Sequence, residues 1–431
     1  MTMISDPTDL TGTEAEQQPL LQDVRNVYQA EGEHDDSELA SPPDEPLAFK
    51  IAAVMYCWFV TGMHVASIGA LLPLIESYYN IKDATAALIF PVGVSGYLIA
   101  NSLVHLVHIK LGRRGIVILA TLPHVLGGLL LSTKPTYPFL LTAYFVVGLG
   151  TGFSDSTFCT WAAIVRGPNK VSGLIHGSYA FGCVMGPIVV AALERVGLGW
   201  QYFYLVMLVV FSLEACALVL AFRHDDAATY HSKITQKQDL VDGGGGFAGC
   251  KKVIFVCGLF FFVNVGIETS LSGWLTSYMT RSRRTTPSVA ALATSLFWAG
   301  MVLGRFCLGP LTRIARLRVV VVLLICALIT LQLLFRLEAA PLALSLCLAT
   351  GIGFSSGPLF PSAVLTMTAK LPDDVHVRAV ALTCAIGQLG GAGAPFIIGV
   401  IAQRSGIERL FDVVLGLSIA LLLIWLFFSR A

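Results

Sequence analysis

The sequence predicts an all-α polytopic membrane protein with twelve transmembrane helices in two six-helix bundles. Three observations carry this. The 431 residues are 55% hydrophobic and 13% charged, whereas soluble domains carry about a quarter charged residues. The apolar runs are hydrophobic all round and about 20 residues long, enough to cross roughly 30 Å of hydrocarbon. A polar stretch near 223–250 divides these runs six and six.

The elements follow in order. Residues 1–47 are acidic and rich in Glu, Gln, Pro and Ser, with no apolar core of signal-peptide type, which predicts a disordered cytosolic tail. Segments 1 to 6 are placed near 51–75, 85–107, 115–133, 138–165, 171–193 and 200–222. A linker at 223–250 with the run Gly243-Gly244-Gly245-Gly246 follows, as a tether between a 48–222 bundle and a 251–431 bundle. Segments 7 to 12 are placed near 252–279, 288–310, 318–336, 341–369, 377–401 and 408–429. With both termini cytosolic, the cytosolic loops hold most basic residues, among them Lys110, Arg113, Arg114, Lys251, Lys252 and Arg316. The cluster Arg281, Arg283, Arg284 on the other side is the one dissent.

Composition also excludes function classes. A net charge of +1 gives no footprint for nucleic acid. The ten cysteines lie mostly inside apolar segments without CxxC spacing, so they read as small packing residues, and neither a zinc site nor a disulfide frame is indicated. No phosphate-binding G-x-x-x-x-G-K-[ST] motif, catalytic triad or metal cluster is present in the sequence, so neither an enzyme nor a bound cofactor is expected.

The halves share an internal repeat. Gly148-Leu149-Gly150-Thr151-Gly152 in segment 4 matches Gly351-Ile352-Gly353-Phe354-Ser355-Ser356-Gly357 in segment 10, and Gly186-Pro187 in segment 5 matches Ala394-Pro395 in segment 11. Parallel six-span repeats are one way to build two bundles around a midplane site.

Seven further motifs occur in order on these segments: Gly69-Ala70-Leu71-Leu72-Pro73, Leu111-Gly112-Arg113-Arg114, His176-Gly177-Ser178-Tyr179-Ala180-Phe181-Gly182, Gly266-Ile267-Glu268 with Gly273-Trp274, Trp298-Ala299-Gly300 with Gly304-Arg305, Gly357-Pro358-Leu359-Phe360-Pro361, and Gly387-Gln388-Leu389-Gly390-Gly391. On these residues, across about 50–430, the chain resembles the major facilitator superfamily and, within it, the fungal branch similar to fucose permease. The resemblance implies a fold of two bundles related by a pseudo-twofold axis and a carrier that works by alternating access. The chain departs from the family pattern at two places. His105 and Ile109 stand where the loop after segment 2 usually has Gly and Asp, which implies an incomplete cytosolic latch around Arg113 and Arg114. His64 and Val65 stand where the fucose-permease pattern has Asn and Asp.

Ionisable side chains in hydrocarbon are costly, roughly 2.5–3.5 kcal/mol on insertion scales, so each is a functional candidate. Glu268 is the sharpest, because helical spacing puts it on one broad face with Asn264 and Ser272, within two turns of Trp274. That face offers a carboxylate, an amide and a hydroxyl to a hydroxylated solute, with an aromatic ring beside them. The competing reading is an interhelical hydrogen bond. Asp155 matches the acidic position of the fucose-permease pattern in segment 4, which implies proton coupling shared with Glu268; the alternative is a pair with a nearby base. His64 in segment 1 is a substrate candidate or a hydrogen-bonded packing residue. Tyr179, with His176 on its face, and Gln388, flanked by glycines, are further candidates. Arg305, near the cytosolic end of segment 8, is expected to snorkel and to gate with Arg113 and Arg114. Glu214 and His124 read as packing residues.

Three functions remain open: uptake of a small sugar-like solute with ion or proton coupling, efflux of an amphipathic metabolite or drug by proton antiport, and a non-transporting sensor. The efflux reading rests on Gly173, Gly182, Gly186 and Pro187, which match part of a drug-antiporter pattern. A monomer in the lipid bilayer is expected, in a plasma, vacuolar or endosomal membrane, and Leu20-Leu21 of the tail resembles an acidic dileucine sorting signal. The polarity and glycine run of the linker predict protease nicking between about residues 225 and 248 with the two bundles still co-purifying; limited proteolysis with size-exclusion chromatography checks this.

Overall fold

The computed structural model describes residues 46–162, 165, 168–225, 250–336, 341–372 and 375–429. Nearly all of the acidic tail, including Leu20-Leu21, and of the 223–250 linker therefore lies outside the described residues. Within them, all regular structure is helical. Eleven helices are long and apolar enough to cross a membrane. One of these is two segments, because the helix Ile89–Ser132 breaks at Gly112, whose φ of 66° and ψ of −169° suit a residue without a Cβ. That restores the twelve expected.

Segment 1 is Leu47–Tyr79, and a short helix Asp83–Ala86 leads into segments 2 and 3, the two limbs of Ile89–Ser132. Segments 4 to 6 are Tyr137–Ala162, Pro168–Arg195 and Gln201–Ala221. Segments 7 to 9 are Lys251–Arg281, Pro287–Ile314 and Leu317–Phe335. Segment 10 is two helices, Leu342–Ser356 and Leu359–Thr368, and segments 11 and 12 are His376–Ser405 and Leu410–Phe428. Pro358 and Pro361 explain the break in segment 10. Neither can donate a backbone N–H, so the carbonyls four residues earlier, Phe354 and Gly357, lose their helical partners.

Glycines place the segments. In segment 4, a Cβ on Gly148 or Gly152 would collide with the carbonyl of Gly93 or Tyr97 in segment 2. In segment 10, a Cβ on Gly353 or Gly357 would meet the carbonyl of Phe297 or Met301 in segment 8. Segments 1 and 5 meet in the same way at Gly182 against Phe59, and segments 7 and 11 at Gly390 against Phe262. The pairs 1–5 and 2–4 thus recur as 7–11 and 8–10, the pseudo-twofold relation of two six-helix bundles.

The two halves join unevenly. Their glycine-mediated contacts, Gly69 on Ser272, Gly273 on Phe90 and Gly399 on Ala87, all lie away from the face that carries the chain ends. The main apolar core also runs through both halves, from Leu71 to Trp274 and Ala291. Toward the face with the chain ends, the first half has a separate core around Trp58, Phe158, Trp161 and Phe222. The described glycine contacts between the halves thus lie away from that face, while toward it His176 is exposed and Tyr179, Glu268 and Arg305 are only half-buried, as the walls of a cleft that reaches mid-depth would be.

At that face, Asp225 closes the first half. Its carboxylate accepts from Lys50 Nζ at 3.0 Å and Arg113 Nη1 at 2.9 Å, and its carbonyl accepts from the Arg114 N–H at 2.8 Å. Burial pushes the Asp225 carboxyl up, but Lys50 and Arg113 outweigh it and hold the carboxyl below its ordinary value. Stability from this tie is therefore present above the unfolded carboxylate range, about pH 4, and is lost as pH falls through the lower folded value. Asp225→Asn should cost about 1–3 kcal/mol at neutral pH, read as a lower thermal midpoint, and the gap from the parent should narrow below about pH 4.

Candidate functional site

At mid-depth, above the cleft, Glu268 of segment 7 faces Arg305 of segment 8. Arg305 Nη2 lies 3.9 Å from Glu268 Oε1, with side-chain exposures of 25% and 14%. The sequence itself orients Arg305, because its Nε donates to the Gly357 carbonyl at 3.4 Å, the acceptor that Pro361 leaves without a helical partner. A bond between segments 7 and 8 fixes the wall beside the pair: Ser272, one turn beyond Glu268, accepts from the indole N–H of Trp298 of segment 8 at 3.0 Å. Trp298 is 2% exposed and two turns from Arg305 along segment 8.

The first half supplies the other wall. Tyr179 of segment 5 meets Trp298 edge-on at 6.2 Å and Trp58 of segment 1 at 6.0 Å. His176 stands edge-on to Trp58 at 4.7 Å. Tyr179 also lies within the electrostatic reach of both Glu268 and Arg305. A carboxylate, a guanidinium and a phenol thus converge between aromatic rings from segments 1, 5 and 8. The carboxylate accepts from a hydroxyl, the guanidinium donates to one, and the rings cover an apolar face; at 3.9 Å the ion pair is long enough for a solute hydroxyl to compete for either partner.

The structure brings Glu268 and Tyr179 together and corrects several other expectations. Arg305 does not snorkel to the surface: it turns inward to Glu268 and Gly357. The Arg113 side chain pairs with Asp225, and the backbone N–H of Arg114 donates to the Asp225 carbonyl, so among the described residues these contacts stay within the first half. Trp274 is fully buried, with its indole N–H donating to the Pro395 carbonyl at 2.8 Å, so it fixes segment 7 to segment 11 and does not line the site. His64 packs into the first half, its ring 5.9 Å from Tyr144, 6.1 Å from Tyr204 and 6.2 Å from Phe211. Asn264 is buried at 4% exposure, and Gln388 is half-buried beside the glycine seam of segments 7 and 11. Asp155 accepts from the Tyr97 hydroxyl at 2.5 Å and has the Cys159 thiol at 3.7 Å, so its partners are neutral.

Two site residues escaped the sequence reading. Trp58 carried no motif, and Trp298 stood inside Trp298-Ala299-Gly300 without an assigned role. Tryptophans two turns before a membrane Arg, or facing a Tyr on a glycine-rich segment, are the signal that was present. Glu214 and His124 form a buried pair at 3.1 Å inside the first half.

Comparison with known proteins agrees with this architecture. Residues 54–392 match the family profile described as Major Facilitator Superfamily. The chain is similar to Bypass of stop codon protein 6 of Saccharomyces cerevisiae, 25% identical over 393 residues, covering 83% of this chain and 78% of the relative. It is 24% identical to the glucose/mannose transporter GlcP of Bacillus subtilis, covering 79% of this chain and 85% of that one. Among solved structures, a D-xylose-proton symporter superposes with a TM-score of 0.72 at 12% identity, covering 88% of this chain and 98% of its own. A bacterial homolog of the human lysosomal transporter Spinster, inward-facing and unoccupied, superposes with a TM-score of 0.69 at 13% identity over 89% and 97% of the two chains.

Glu268→Gln keeps the shape of the side chain and removes its charge. The thermal midpoint should stay close to the parent's, while the half-saturation concentration for transport rises about 10- to 100-fold, the cost of one charge-assisted hydrogen bond. Unfolding and concentration-dependent uptake are measured on the same purified variant. Normal uptake kinetics would take Glu268 out of the site and leave Asp155 as the carboxylate to test.

Proposed function

Since the chain belongs to the Major Facilitator Superfamily, a family of transporters, we propose that it is a secondary carrier that moves a small hydroxylated, sugar-like solute across the bilayer by alternating access. The observation that carries this reading is the Glu268–Arg305 pair at mid-depth between Trp58, Tyr179 and Trp298, polar groups for hydroxyls beside rings for the apolar face of a sugar. A relative named as a glucose/mannose transporter supports the solute class. The unequal joining of the halves, closed at one face and parted at the other, supports the cycle.

The bundles at 48–222 and 251–431 act as the two moving bodies, a monomer being sufficient. Both chain ends lie on the cytosolic side in this reading, supported by the basic residues of that face. Asp155 is the coupling carboxylate: it sits in segment 4 with only Tyr97 and Cys159 as hydrogen-bond partners among the described residues, so proton uptake there meets no competing cation in direct contact.

Counterflow of a labelled metabolite panel in proteoliposomes, with and without a pH gradient, tests the reading. Accumulation of a monosaccharide, increased by an inward proton gradient, is the expected outcome. Gradient-driven exclusion of an apolar compound with no sugar counterflow would transfer the protein to the export reading.

A further inference from the structure

The face opposite the chain ends carries a group of charges that plays no part in the mid-depth site. Arg281, at the end of segment 7, donates from Nη2 to Glu76 at the end of segment 1 and from Nη1 to Asp83 of the following short helix, the second contact at 2.6 Å. One cation of the second half thus holds two carboxylates of the first. Beside it, Gln403 of segment 11 accepts from the Ala84 N–H at 3.1 Å, again between the halves. These contacts line an open polar depression of about 480 Å³ together with Pro73, Ser77 and Lys82.

Two facts make this more than a surface ion pair. The Glu76 side chain is 9% exposed, and its Oε1 is buried with no hydrogen-bond partner, although Oε2 is taken by Arg281. The trio of Glu76, Asp83 and Arg281 also carries one more negative than positive charge. A proton on Oε1 removes that excess and leaves Arg281 with Asp83 alone. Among the described residues, the other titratable groups beside Glu76 are Lys82, which lines the same depression, Tyr137 of segment 4, within its electrostatic reach, and Tyr79, one turn on along its own helix and in ring contact with Tyr137. The hydroxyls of Tyr79 and Tyr137 are held by the carbonyls of Pro135 and Thr85.

We propose that Glu76, Asp83 and Arg281 form a proton-binding latch that closes the face opposite the chain ends, and that a proton taken at Glu76 loosens it by reducing two ties between the halves to the one at Asp83. The latch rests on the alternating-access reading and adds to it a proton site remote from the solute. Protons on that side then favour opening toward that side, and their loss favours closure.

The test reads opening without any solute, so its failure is separate from a failure of solute binding at Glu268. Ala70 is 4% exposed and lines the small space beneath Pro73, under the latch. Ala70→Cys is placed in the full chain in lipid nanodiscs, and its alkylation by a water-soluble maleimide is read by mass spectrometry at that residue. Each rate is divided by the rate of the same cysteine in a Glu76→Gln background, which cancels the thiol's own pH dependence. The ratio should be about one-tenth at about pH 8 and rise to near one at about pH 5, since Glu76→Gln imitates the protonated state. A ratio near one at both pH values shows that packing alone closes this face, and a low ratio at both shows that closure ignores the Glu76 proton; either overturns the proposal. If Glu76→Gln fails to give a single folded species by size exclusion, Arg281→Gln serves as the open reference with the same expected ratios.

Discussion

In hydrocarbon, helices gain nothing from hiding apolar side chains from one another, because lipid is as apolar as they are. Association then depends on how closely backbones can approach. The glycine seams of segments 2–4, 1–5, 8–10 and 7–11 meet this requirement, each bringing a Cα against a carbonyl of its neighbour. They set the depth and rotation of every segment that bears a functional side chain. Glu268 faces Arg305 because segment 7 is seated on segment 11 at Gly390 and segment 8 on segment 10 at Gly353 and Gly357.

Charge is then placed where these seams leave room for it. Apart from the His124–Glu214 pair inside the first half, the described carboxylates paired with Lys or Arg of another segment include three at three levels: Asp225 with Lys50 and Arg113 at the face with the chain ends, Glu268 with Arg305 at mid-depth, and Glu76 with Arg281 at the far face. The first joins elements within one half, the last joins the two halves, and the middle one lies on the second half facing aromatic rings of the first. This gradient follows from the uneven joining of the halves. The dissenting basic cluster also finds its reason here: Arg281 serves the far-face carboxylates, and Arg283 donates to the Phe335 carbonyl while lying over its ring at 5.7 Å.

The sequence made the spans legible because length and uniform apolarity are local properties, and all twelve lie within a few residues of their expected places. The glycine repeat was legible for the same reason, and so was the presence of a carboxylate, Glu268, inside a span. The partners were not legible. Arg305 and Glu268, Asp225 and Lys50, and Arg281 and Glu76 are far apart along the chain, and nothing local marks one as the counterpart of the other. Helix rotation was the second loss. A segment that is apolar all round shows no polar stripe, so whether Trp274 and His64 faced the cleft or the packing could not be read from spacing, and both turned to the packing.

The break in segment 10 has a mechanical consequence. Because Pro361 leaves the Gly357 carbonyl open, Arg305 is tied at once to segment 10 and to Glu268 of segment 7. In the proposed cycle a shift of segment 7 bears on the joint between Leu342–Ser356 and Leu359–Thr368, with the lower half-helix as a lever about a pair of prolines. In the carrier cycle we propose, occupancy at mid-depth is converted into an angle near the mouth of the cleft, by a part of the chain that touches no solute.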